Sequence, residues 1–185
     1  MEKQIVTPNR SLTIATEKLL NDQVGLEAMS SSSYLAMASW CDKSGYVTSA
    51  DFLYRHSEEE RTHMLKLFHY INEAGGHALH PDITAIKHDF NSLREVFENI
   101  LDHEIMVTKA INDLVDHCFK IKDFTTFQFL QWYVTEQREE ETVARRAVEL
   151  FDIIGEEGVG LWTIDNEIGK LEAFANGSGA NAGAV

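Results

Sequence analysis

Apolar residues recur at steps of three and four along four long stretches of the chain, the spacing of one helix face. The first stretch runs from about Arg10 to Asp42, with Leu20, Val24, Glu27, Ser31, Tyr34 and Ala38 on one seam and Ser44-Gly45 as the turn that ends it. The second begins near Thr48 or Ser49, both good N-caps, carries Leu53, His56, Glu60, His63 or Met64, Leu67 and Ile71 inward, and closes at Gly75-Gly76. The third runs from near Ser92 to about Phe119 (Phe97, Leu101, Glu104, Val107 or Thr108, Ile111, Val115). The fourth runs from about Phe124 to Ile154 (Leu130, Tyr133, Gln137, Glu140, Ala144, Val148, Phe151). After the glycines at 155, 158 and 160 comes a short fifth helix with Leu161, Ile164, Ile168 and Leu171 on one face.

The stretch 76–91 has little periodicity and is too long for a helix hairpin. At ~3.3 Å per extended residue it spans roughly 50 Å. A helix of the second stretch's length covers only about 40 Å at ~1.5 Å per residue. The pattern therefore predicts an all-α four-helix bundle with a long crossover between helices two and three, of the up-up-down-down type, plus a short C-terminal helix. The expected division is an N-terminal extension over 1–9, one domain over 10–174 and a flexible tail over 175–185.

Six seam positions are not oily: Glu27, Glu60, His63, Glu104, Gln137 and Glu140. From Glu27 to Glu60 is 33 residues, and from Glu104 to Gln137 is also 33. In antiparallel pairs, residues equidistant from the turn face each other, so four helices bring these groups to one level. Buried carboxylates are very unfavourable unless paired or metal-bound. Glu60 and His63 form an ExxH pair whose i, i+3 spacing aims both at one ion. Glu27 and His63 fall to one side, Glu104 and Glu140 to the other, with Glu60 as the bridge, which suits two divalent ions ~3.5–4 Å apart. Carboxylate-rich ligation with a single His and no thiolate suits iron or manganese, with zinc as competitor. Glu59, Glu136 and Glu139, sharing Glu140, form a second acidic set for an auxiliary cation. Tyr34 lies two turns after Glu27, either packed with a satisfied hydroxyl or acting as an electron donor.

Composition narrows the class. The net charge of −14 argues against nucleic acid and anionic membrane surfaces and favours cations. Two cysteines, Cys41 and Cys118, lack CxxC spacing and read as structural thiols of a reducing cytosol. The crossover sets them at opposite ends of the bundle, beyond disulfide reach. The first residues lack the apolar region of a signal peptide, and no apolar run approaches the ~18 residues of a membrane span, so a cytoplasmic protein is expected.

The stretches GLEAMSSSSY at 25–34, RHSEEERTHM at 55–64, DHE at 102–104 and FLQWYVTEQREEE at 129–141 resemble the bacterial non-haem ferritins. That resemblance spans about Thr13 to Phe174. It implies a homo-oligomeric cage of 24 subunits, Fe(II) oxidation by dioxygen or peroxide, and storage of ferric mineral. By the same resemblance Glu27, Glu60 and His63 hold one iron, while Glu60, Glu104 and Glu140, with Gln137 close by, hold the second. Glu59, Glu136, Glu139 and Glu140 match a third site, and Tyr34 matches the tyrosine beside the centre. Glu136 is followed three residues on by Glu139 rather than His, so no haem is expected. Phe127 and Leu130 stand where animal ferritins line the three-fold pore with acidic residues, which argues against iron passage there. A single ExxH and the absence of a rubredoxin-like cysteine site set the chain apart from the rival reading, a di-iron peroxidase or oxygenase that stores no iron.

Overall fold

The computed structural model describes residues 10–171; the expected extension over 1–9 and tail over 175–185 lie outside them. Five helices follow in order: α1 (Ile14–Lys43), α2 (Val47–Glu73), α3 (Leu93–Ile121), α4 (Phe124–Ile154) and α5 (Gly160–Ile168). Local chemistry explains most of the helix starts. Thr13, Ser92 and Asp123 each accept a hydrogen bond from the backbone N–H three residues on, which satisfies a first-turn donor of α1, α3 and α4. At α3 the Glu95 carboxylate also reaches back past the cap, accepting from the N–H and the side-chain amide of Asn91. The tight turn from α1 to α2 uses Gly45 at φ +87°, a left-handed conformation that suits glycine.

The expected N-caps of α2, Thr48 and Ser49, do not serve as such: the helix begins at Val47 after Tyr46, which places both inside the first turn and leaves the start with no side-chain cap of its own. Asp165 of α5 supplies it: the carboxylate accepts from Ser49 N at 2.8 Å, Ser49 Oγ at 2.6 Å and Thr48 N at 3.3 Å. Gly169 lets the two elements meet, since a Cβ there would lie 2.3 Å from the Thr48 methyl.

Two apolar clusters fill the bundle. One joins the end of α1 (Ala38, Cys41), the start of α2 (Leu53), the start of α3 (Val96, Phe97), the end of α4 (Phe151) and Ile164 and Ile168 of α5. The other joins the start of α1 (Leu20, Val24), the end of α2 (Leu67, Ile71), the end of α3 (Leu114, Cys118) and Leu130 near the start of α4. Helices α2 and α3 therefore run parallel, each antiparallel to its hairpin partner. The order is up-down-down-up rather than the expected up-up-down-down. A bundle of two helix hairpins needs only one long crossover, and this chain has one. That segment is strapped to α1, with Asn21 Nδ2 donating to the His77 carbonyl at 3.1 Å and the Leu79 N–H donating to Asn21 Oδ1 at 2.7 Å. His77, His80 and His88 are exposed, as the sequence suggests. Cys41 and Cys118 fall in opposite clusters and are free thiols. Leu130 is fully buried inside its own bundle, so it cannot line a pore between subunits as expected from the alignment of motifs. Among the described residues no helix is long and apolar enough to cross a membrane.

Candidate metal centre

Between the two apolar clusters lies a polar band. Glu27 from α1, Glu60 and His63 from α2, Glu104 from α3, and Gln137 and Glu140 from α4 all point into it, and their exposures run from 1% to 8%. The helical register that carries the apolar seams carries these side chains to one level, as the 33-residue separations require.

Glu27, Glu60 and His63 offer donor atoms within 4.8 Å of one another. The Glu60 Oε2 lies 3.3 Å from His63 Nδ1. Glu27 is steadied by Gln23, whose amide donates to Glu27 Oε1 at 2.8 Å. On the opposite side, Glu104 is held on both oxygens, by the Tyr34 hydroxyl at 2.6 Å and by Gln137 Nε2 at 2.6 Å. Glu140 Oε2 sits 3.5 Å from His56 Nδ1. The Tyr133 hydroxyl donates to the His63 carbonyl at 2.8 Å and fixes that turn of α2.

The electrostatics are those of a site built for positive charge. Burial pushes the Glu27, Glu60 and Glu140 carboxyls above their usual range, and neighbouring carboxylates push Glu60 and Glu140 further. Glu60 Oε2 is buried and makes no hydrogen bond among the described residues. The same surroundings raise Tyr34, first through burial and then through Glu104. Burial lowers His56 to about 4, so it is a neutral imidazole at physiological pH. Four buried carboxylates and the His63 imidazole, with an orphaned oxygen at the centre, fit divalent cations of the iron and manganese type.

The auxiliary acidic set is only partly assembled. Glu59 lies within cation-binding reach of His63 and Glu136 in one group, and of His56 and Glu140 in another. Glu139 joins neither; its side chain is 39% exposed and pairs with Arg138 at 3.6 Å. Two neighbours, Gln23 and Tyr133, have roles here that the sequence does not announce. Gln23 and Tyr133 look like ordinary helix positions in the sequence, whereas the seam position of His56 suggests either support of the ligands or packing, and its place beside Glu140 agrees with the first. The signal for Gln23 was its i, i+4 spacing to Glu27.

Residues 17–154 match the ferritin-like domain family. The chain belongs to the ferritin family. It is 46% identical over 158 residues to a probable bacterial non-heme ferritin-like protein of Haemophilus influenzae, covering 85% of this chain and 96% of that one. A bacterial non-heme ferritin of Campylobacter jejuni is 42% identical over 154 residues, covering 83% and 92%. Among solved structures, an open pore ferritin of Archaeoglobus fulgidus superposes with a TM-score of 0.82 at 35% identity, covering 85% of this chain and 96% of that chain.

Proposed function

We propose that this ferritin oxidises Fe(II) at the centre between its four helices and stores the product as ferric mineral inside a 24-subunit homo-oligomeric cage in the cytoplasm. The observation that carries the reading is the buried Glu27–Glu60–His63–Glu104–Glu140 cluster with the unsatisfied Glu60 oxygen in its midst. Iron is the substrate and cargo. One Fe(II) takes Glu27, Glu60 and His63. The second takes Glu60, Glu104 and Glu140, with Gln137 orienting Glu104. Two Fe(II) supply the two electrons that reduce dioxygen, with two protons, to hydrogen peroxide; peroxide in turn accepts two electrons and ends as water. The carboxylates already face one another without compensating cations, so the rise in charge from Fe(II) to Fe(III) is favoured by the surroundings. A third ion uses Glu59, Glu136 and Glu140, with Glu139 reaching in once it leaves Arg138, and passes iron onward. Tyr34 holds Glu104 in place and lies near enough to give an electron. The net charge of −14 draws cations to the shell. No haem is required by this ligand set.

Glu60→Ala removes the bridge, and rapid Fe(II) oxidation in stopped-flow absorbance is expected to disappear. Oxidation at the wild-type rate in that variant would refute the centre. Iron retained per chain in a large particle after excess Fe(II) in air tests storage: well above two per chain supports the cage, and a plateau near two would leave a di-iron enzyme.

A further inference from the structure

Tyr70 stands half-buried near the end of α2, away from the metal centre, yet a run of aromatic rings joins the two. Trp132 and Tyr133 both meet the His63 ring edge-on, with centroids 5.2 and 6.4 Å away. Tyr133 lies 5.7 Å from Phe129, and Phe129 stacks on Tyr70 at 3.8 Å with the planes 9° apart. Packed rings at these separations give short electron-transfer steps without any change of conformation.

The far end of the run also has a place for a proton. The Tyr70 hydroxyl lies 2.8 Å from Thr126 Oγ1, and Thr126 Oγ1 donates to Asp123 Oδ2 at 2.7 Å. A threonine hydroxyl has one proton to give. Since that proton goes to Asp123, Tyr70 is the donor to Thr126, and the path Tyr70–Thr126–Asp123 is polarised outward. Tyr70, Thr126 and Asp123 line a surface pocket of about 250 Å³ together with Glu73. Neither other tyrosine near the centre has such an outlet. Tyr34 donates to Glu104, itself one of the candidate ligands, and Tyr133 donates to a backbone carbonyl, a weak base.

We propose that Tyr70 is the surface terminus of an electron-donating path that supplies the second electron when hydrogen peroxide meets a centre holding a single Fe(II). This rests on the ferroxidase reading above. With two Fe(II) present, peroxide takes one electron from each and both oxygens leave as hydroxide. With one Fe(II), the O–O bond breaks, one oxygen leaves as hydroxide and the other lacks an electron. Tyr70 provides that electron through Phe129 and Tyr133, and its phenolic proton moves to Thr126 as the Thr126 proton moves to Asp123. The net change is Fe(II), peroxide and phenol giving Fe(III), two hydroxides, a phenoxyl radical and a proton. The oxidising equivalent then resides at the rim of the surface pocket instead of on a ligand of the centre.

The experiment loads the full-length assembled protein anaerobically with less than one Fe(II) per chain and adds hydrogen peroxide. Freeze-quench electron paramagnetic resonance reads tyrosyl radical, and a ferrous chelator reads the Fe(II) consumed in the same sample. The wild type is expected to give a tyrosyl signal that narrows when β-deuterated tyrosine is incorporated. Tyr70→Phe keeps the ring stack and is expected to lose most of that signal while Fe(II) consumption persists. Phe129→Leu and Asp123→Asn are expected to lower it as well; Asn caps a helix as well as Asp does, so the second variant keeps the start of α4 intact. An undiminished signal in Tyr70→Phe, or Fe(II) consumed in the wild type with no tyrosyl radical, overturns the proposal and leaves the ferroxidase reading standing. Unchanged yield in both Phe129→Leu and Asp123→Asn overturns the path. Failure of the wild type to consume Fe(II) takes down both.

Discussion

Replacing Glu60 by Gln is expected to make the metal-free protein more stable while destroying its response to metal. Glu60 is 3% exposed, burial lifts its carboxyl well above the ordinary 4.5, and Glu27 and Glu104 lift it further. A group whose folded pKa is raised contributes fully below its unfolded value, and that contribution is lost as pH climbs toward the folded value. The wild type therefore loses stability as pH climbs above the ordinary carboxyl range toward the raised folded value, at a slope of at most ~1.4 kcal/mol per pH unit for one proton. Gln has the same shape and no proton to lose. The difference in unfolding free energy between Glu60→Gln and the wild type should then grow in favour of Gln as pH rises, by on the order of 1 kcal/mol per pH unit, with Glu27 and Glu104 adding to it because a neutral Gln at position 60 no longer repels them. Guanidinium unfolding with chelator present, at one protein concentration and two pH values, measures it.

The same pair of proteins separates stability from function. A redox-inert divalent ion such as Zn(II) at ~100 times its Kd should stabilise the wild type by about 2.7 kcal/mol. The Glu60→Gln variant should gain much less, since the bridging anion is gone. Parallel pH dependences in the two proteins would show that the buried cluster is not strained by its charge. Equal stabilisation by Zn(II) would show that Glu60 is not a ligand. Either result refutes the reasoning.

Two further outcomes follow from named contacts. Tyr34→Phe removes the hydroxyl that holds Glu104 at 2.6 Å, so Fe(II) oxidation is expected to slow after the first iron pair in multi-turnover stopped flow; unchanged later turnovers would reduce Tyr34 to packing. Asp165→Ala removes the carboxylate that accepts three hydrogen bonds at the start of α2, at a loss of about 2 kcal/mol for a charged cap. Hydrogen exchange of α5 amides should quicken in that variant while the middle of α2 is unaffected, and equal exchange in α5 would show that apolar packing alone docks it.

Most of the centre was legible in the sequence because helical register is rigid. Once Glu27, Glu60, Glu104 and Gln137 sit on apolar seams, the turns at Gly45 and Lys122 leave one level at which they meet. Register says less about exposed positions. Glu136 and Glu139 share a helix face by spacing, yet Arg138 draws Glu139 aside, and a surface ion pair of this kind is too weakly determined to be read from sequence. The helix directions around the crossover differ from the sequence expectation for a related reason: the length of a segment shows that it can cross the bundle, whereas the cluster that joins Cys41 to Phe97 shows which ends meet.

Contacts between elements distant in the chain were the least legible. Nothing in the α2 sequence signals that its missing N-cap is supplied by Asp165, more than a hundred residues away. Thr48 and Ser49 look like caps of α2 in the sequence, and the acidic residue on the otherwise apolar face of α5 is an oddity; in the structure both serine and threonine N–H groups instead meet Asp165, once Gly169 has let the two backbones approach. A buried carboxylate is therefore not by itself a sign of metal. At Asp165 the negative charge is met by backbone N–H groups and a hydroxyl, and no further partner is needed. At Glu60 a buried oxygen makes no hydrogen bond and other carboxylates close in around it. That contrast within one chain, a satisfied buried acid against an unsatisfied one, is the physical ground for proposing a cation at the second and not the first.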